Sequence, residues 1–126
     1  SMDHVLIVHG FDGLDEITIT DSTFIAELKD HTISEYEISP KDFGLSLGTL
    51  SEISARSPED SLQLIREAFS GEKSAVQDMI ALNSGAALYL AKRVQSISDG
   101  IEFSFELMNN GMAADKLASY VRVSNS

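Results

Sequence analysis

Residues 5–20, VLIVHGFDGLDEITIT, constrain the fold more than any other stretch of this chain. An apolar run, Val5-Leu6-Ile7-Val8, stops at His9-Gly10. An acidic glycine loop follows, Asp12-Gly13-Leu14-Asp15-Glu16, and then the alternating Ile17-Thr18-Ile19-Thr20. The run lacks alternation, which predicts a strand buried on both faces, as in a parallel sheet covered by helices. The Ile-Thr alternation predicts a second strand. Carboxylates grouped on a loop at the end of a buried strand suit a divalent cation. Hard cations take carboxylate oxygens, and Mg2+ uses a few of them together with substrate phosphates and waters. Asp15 and Glu16 are neighbours, so they reach a common ion only if the backbone turns; Gly13 and Gly10 permit such turns. The same residues also suit a solvated acidic turn between two strands. The loop lies at the very start of the chain, with almost nothing before it to build the other half of a site.

Strand signals come first along the chain and helix signals second. Phe24, Ala26 and Leu28 are apolar at alternate positions, Lys29-Asp30-His31-Thr32 reads as a turn, and the returning strand carries Tyr36 and Ile38 on one face. Ser39-Pro40-Lys41-Asp42 is a short N-capping pattern with proline at the first helical position, which predicts a single turn before Phe43-Gly44. Residues 44–56 show no strong period and read as the longest loop. Three or four helices follow. Ser57-Pro58-Glu59-Asp60 opens the first, with a stripe of Leu62, Ile65, Ala68 and Phe69 and a stop at Gly71. The second opens at Ser74, with Gln77 completing a capping box, and runs to about Arg93. Its stripe is Val76, Met79, Ile80, Ala86, Ala87, Leu90, Ala91 and Val94. The third starts at Ser98 or Asp99 and carries Ile101, Phe105 and Met108; an amphipathic stretch from Met112 to about Val121 ends the series. The expected fold class is therefore α/β: part of a mixed sheet, one buried strand plus antiparallel strands, followed by three to four helices. One domain over residues 3–123 accommodates this pattern. Residues 1–2 read as an expression scar, and residues 124–126 as a frayed tail.

Charge and composition narrow the function. A net charge of −11, from 20 acidic and 9 basic residues, repels nucleic acid and anionic membranes. It also repels a phosphate-rich ligand unless a cation bridges the two. There is no cysteine, which excludes disulfides and thiolate metal sites and fits a reducing compartment. No apolar run approaches the ~20 residues that span a bilayer. His9 stands where open α/β sheets bind ligands, although a partly buried, hydrogen-bonded histidine explains it as well. The absence of a His-x-x-x-His pair argues against zinc. Asn83 falls on the apolar stripe of the second helix, where an unpaired amide costs about 1–3 kcal/mol. It therefore reads as an anchor to a neighbouring loop or backbone. Gly85 beside it signals close approach of another element.

Val8-His9-Gly10, the Asp12-Gly13-Leu14-Asp15-Glu16 loop, Ser39-Pro40-Lys41-Asp42-Phe43-Gly44-Leu45 and the helix through residues 81–90 occur in that order. Their spacing resembles the carboxyl-terminal part of the anthranilate phosphoribosyltransferases, enzymes of tryptophan biosynthesis, from about Asp3 to about Ala118. The resemblance implies a fragment of the phosphoribosyltransferase/nucleoside phosphorylase-like α/β domain. It implies transfer of phosphoribosyl from phosphoribosyl diphosphate to the amine of anthranilate, with release of diphosphate. It also implies Mg2+, served by Asp15 and Glu16, and a cytoplasmic enzyme. No catalytic side chain in this stretch follows from it, and no protein nucleophile is required. The family's amino-terminal helical domain, its glycine-rich diphosphate loop and its anthranilate-holding residues all precede the region seen here. The chain alone is accordingly expected to be inactive, and to form a homodimer or self-associate. His31 stands where the family usually has glycine. The alternatives are a fragment of a pyrimidine-nucleoside phosphorylase-like enzyme and a non-catalytic interaction module that reuses this half-fold.

Overall fold

The computed structural model describes residues 4–10, 16–49 and 57–111. Three strands come first: β1 (His4–Gly10), β2 (Thr23–Lys29) and β3 (Thr32–Ile38). They form one antiparallel sheet in the order β1-β2-β3. A 3-10 turn over Pro40–Phe43 follows, and then α1 (Pro58–Phe69), α2 (Ala75–Leu90) and α3 (Ile97–Asn109). The α/β reading, strands first and helices second, is borne out. Residues 50–56 of the long loop and the stretch from Met112 to about Val121 lie outside the described residues. Among the described residues no helix is long and apolar enough to cross a membrane.

The strands correct three expectations. β1 is not buried on both faces: it pairs with β2 on one side, antiparallel, and its Ile7 is 65% exposed. A run that is apolar on both faces shows no alternation, so its pattern is silent about which face is covered. In β2 the buried face carries Thr23, Ile25 and Glu27, whereas Phe24, Ala26 and Leu28 are only half-buried on the other. Leu6, Val8, Tyr36 and Ile38 share the buried face, and the helices cover it. Ile17-Thr18-Ile19-Thr20 forms no strand, yet Ile17, Thr18 and Ile19 are fully buried. Threonine hydroxyls replace a ladder there: Thr18 N–H donates to Thr23 Oγ1 at 3.1 Å and Thr20 N–H to Thr18 Oγ1 at 3.1 Å. Gly48 N–H adds a bond to Ile19 O at 2.8 Å. The β2–β3 hairpin turns on Asp30 and His31 at φ 52° and 64°, the left-handed pair that a two-residue loop requires.

The helices begin where their caps predict. Ser57 Oγ accepts from Asp60 N–H at 3.1 Å and Ser74 Oγ from Gln77 N–H at 3.1 Å. The third helix starts slightly earlier than expected, because Ser96 is its cap and accepts from Asp99 N–H at 3.0 Å. Ser39 and Asp42 form a complete capping box ahead of Gly44, whose φ is 76°. At the start of α2 only half of the expected box exists. The Gln77 amide instead donates to Ala68 O at 3.0 Å and to Asn109 Oδ1 at 3.2 Å, tying α1, α2 and α3 together. α2 stops at Leu90 rather than near Arg93, and Lys92 takes a left-handed φ of 60°. Its buried residues are Gln77, Asp78, Ala81, Leu82, Gly85 and Ala86, and Ala87 and Ala91 of the expected stripe are exposed. α2 touches α1, α3 and β1, so burial extends beyond one stripe and periodicity does not single out its buried face. The core comprises Ile17, Ile19, Ile25, Ile38, Leu82, Ile97, Ile101 and Met108 with alanines from α1 and α2.

Candidate functional site

Glu16 opens the second described segment and is exposed, while the next three residues are buried. The element that holds it is α2. The Asn83 side chain grips the backbone of Ile17 with both of its polar atoms. Ile17 N–H donates to Asn83 Oδ1 at 2.9 Å, and Asn83 Nδ2 donates to Ile17 O at 2.8 Å. The second Nδ2 hydrogen goes to Met79 O at 3.0 Å, one turn back on the same helix. Only one orientation of the amide satisfies a backbone donor and a backbone acceptor together. The anchor expected from an asparagine on an apolar helix therefore exists, and its target is the residue following the acidic loop. Glu16, Asn83 and Ser84 line a cavity of about 430 Å³ whose other walls are Ile65, Val76, Met79 and Ile80.

Asp12 and Asp15 lie outside the described residues, so of the acidic loop only Glu16 is located. Among the described residues no group of three or more His, Asp or Glu side chains could hold a metal ion. Glu16 offers one exposed carboxylate beside a cavity, which is compatible with Mg2+, since that ion takes only one or two protein carboxylates when phosphates complete its shell. His9 sits in β1 opposite Phe24 and is exposed, not partly buried.

A second polar cluster escaped the sequence reading. Glu27 is 8% exposed on the core face of β2. Its carboxylate accepts from Tyr36 Oη at 2.8 Å and from Tyr89 Oη at 2.6 Å, and it pairs with His4 Nε2 at 2.6 Å. Burial pushes its pKa up, but the hydrogen bonds from Tyr89, Tyr36 and His4 and the His4 charge outweigh burial and hold it below the usual carboxylate value. Burial and the Glu27 carboxylate push the Tyr89 phenol up to about 12 and raise Tyr36 further. The His4 ring meets Tyr89 edge-on at 4.8 Å, and Lys29 Nζ lies 5.4 Å from the Tyr89 ring centroid. All three strands and α2 thus meet at one saturated carboxylate, which suits a structural tie better than a reactive group. Nothing local marks Glu27: its partners come from positions 4, 36 and 89, and only strand pairing and the packing of α2 on the sheet unite them.

Asp78 in the first turn of α2 is also buried, and its Oδ1 has no hydrogen-bond partner among the described residues. Burial raises its pKa against the opposing charge of Lys73.

Residues 1–114 match the model of a glycosyl transferase family, a/b domain. An anthranilate phosphoribosyltransferase from Vesicomyosocius okutanii is 45% identical over 121 residues, which are 96% of this chain and 36% of that protein. The crystal structure of anthranilate phosphoribosyltransferase from Thermus thermophilus superposes with a TM-score of 0.84 at 28% identity, over 98% of this chain and 36% of that one. The same enzyme from Saccharomyces cerevisiae, in complex with PRPP and Mg, superposes with a TM-score of 0.80 at 24% identity, over 96% of this chain and 35% of that one. The chain thus spans about a third of the length of the curated relatives it matches.

Proposed function

The chain belongs to the glycosyl transferase family through its a/b domain, and from that membership we propose that it is part of a cytoplasmic anthranilate phosphoribosyltransferase. The observation that carries this reading is likeness over the whole chain: 45% identity across 96% of it to one such enzyme. The reaction forms a bond between the anthranilate nitrogen and C1 of the ribose. It breaks the bond from C1 to the diphosphate oxygen, and diphosphate leaves with the electron pair. The amine's proton passes to solvent.

In this reading residues 3–123 form one domain piece, and Asp15 and Glu16 hold Mg2+. When bound there with diphosphate, the cation neutralises charge developing on the leaving group. The chain's own contribution is to present carboxylates. Ile17 is clamped to α2 through Asn83, which fixes the backbone from which Glu16 projects. The net charge of −11 repels a polyanionic substrate, and a bridging cation relieves that repulsion.

The test is a chimera. This chain replaces the matching third of the Vesicomyosocius okutanii relative, and phosphoribosyl transfer to anthranilate is measured. We expect turnover by the chimera, a loss of about 100-fold or more when both Asp15→Asn and Glu16→Gln are introduced, and none by the 126-residue chain alone. A folded chimera that ignores anthranilate overturns the reading; turnover by the isolated chain overturns the expectation that it is inactive alone.

A further inference from the structure

We propose that Asn83 is a positioning residue for the cation loop: its side-chain amide fixes Ile17 on α2 and thereby holds Glu16 where it meets a divalent cation. The inference rests on the metal role just assigned to Glu16 and goes beyond it to the residue that sets its geometry.

The geometry is specific. Both backbone polar groups of Ile17 end on one side chain, at 2.9 and 2.8 Å, although Asn83 is 66 residues away. The Asn83 amide has its oxygen and both hydrogens engaged, the last by Met79 O at 3.0 Å, so the ring of contacts is closed. Ile17 is 2% exposed, and two buried residues follow it, so the chain is pinned from Ile17 onward. Glu16 is the first residue outward from that pin, and consecutive Cα atoms are only ~3.8 Å apart. Glu16 and Asn83 line one cavity. The helix that carries the pin is itself tightly seated. A Cβ on Gly85 would stand 2.6 Å from the Ile101 backbone nitrogen of α3, so α2 and α3 touch backbone to backbone two residues beyond Asn83. A carboxylate without such a pin would spend its binding energy on being ordered. Partners that orient metal ligands from behind contribute to affinity without touching the ion.

The experiment uses the 126-residue chain with inorganic diphosphate to complete the cation's shell and Mn2+ as a paramagnetic stand-in for Mg2+, at a temperature where circular dichroism shows every variant folded. The readouts are the Mn2+ dissociation constant and selective broadening of the backbone amide resonances from Glu16 to Thr20. Wild type should show broadening that Glu16→Gln removes. Asn83→Ala should weaken Mn2+ binding by about 10–100-fold and abolish the selective pattern. Asn83→Ser should do the same: its hydroxyl satisfies Met79 O within the helix but does not reach Ile17. Met108→Ala truncates a buried side chain of α3 that takes no part in the Asn83–Ile17 hydrogen bonds, and should lower thermal stability while leaving Mn2+ binding intact. Folded Asn83→Ala and Asn83→Ser chains that bind Mn2+ like wild type overturn the positioning role alone. Wild-type chain without Glu16-dependent broadening overturns the metal reading, and the positioning role with it.

Discussion

Glu27 shows how one residue can be decisive and still invisible in a linear reading. Its carboxylate gathers three side-chain partners from β1, β3 and α2 in a nearly dry setting. Its folded pKa lies below its ordinary value of 4.5. The unfolded chain therefore binds a proton more readily than the folded one. The stabilisation is fully present above about pH 4.5 and is lost as pH falls through the folded pKa. Urea midpoints measured from pH 7 down to pH 3 should fall in wild type, and Glu27→Gln should flatten that slope. At pH 7 the same substitution should cost about 1–3 kcal/mol, because an amide N–H then faces phenol donors. A Glu27→Gln midpoint equal to wild type at pH 7 would remove the tie from the account. Asn83 is the contrasting case at this scale. An amide on an apolar helix signals a buried anchor from sequence alone, and only its partner, Ile17, needed the fold.

At the scale of elements, the ends were legible and the faces were not. Serine caps, Pro40, Pro58, Gly44 and Gly71 act within three or four residues, so sequence spacing reveals them directly. The buried face of α2 differs from its apolar stripe because the helix is apolar on more than one side. Gly85 was the better clue. It meets Gly100 across the α2–α3 crossing, and each glycine leaves no room for a Cβ on the other. Gly85→Ala should therefore lower stability by about 1–3 kcal/mol through overpacking, despite the better helix propensity of alanine. A thermal melt unchanged or raised by that substitution would show that the helices part without cost. Residues 17–20 alternate like a strand without forming one, for a related reason. Period-two alternation reports which side chains are buried, but the backbone partners here are threonine hydroxyls and Asn83, not a neighbouring strand.

At the scale of the whole molecule, the sheet is covered on one face only among the described residues. Ile7 at 65% and Ile33 at 71% exposure share its other face with Val5, Phe24, Ala26 and Leu28. His9, Glu35 and Glu37 lie at one end of that face, but the six apolar residues form a patch, and β1 is a sheet edge among the described residues; both favour association. We predict that sedimentation coefficients of the isolated chain rise with concentration, and that Ile7→Glu with Ile33→Glu suppresses the rise. Strictly monomeric wild type at millimolar concentration would refute this. The sequence by itself determined the order of elements, the caps, the hairpin and the family to which the chain belongs, because each is written in residues close together or in a pattern spanning the chain. Only the tertiary structure decided which sheet face is buried, what Asn83 holds and where Glu27 finds its partners. Those depend on contacts between residues up to 66 positions apart, for which local propensity carries no information.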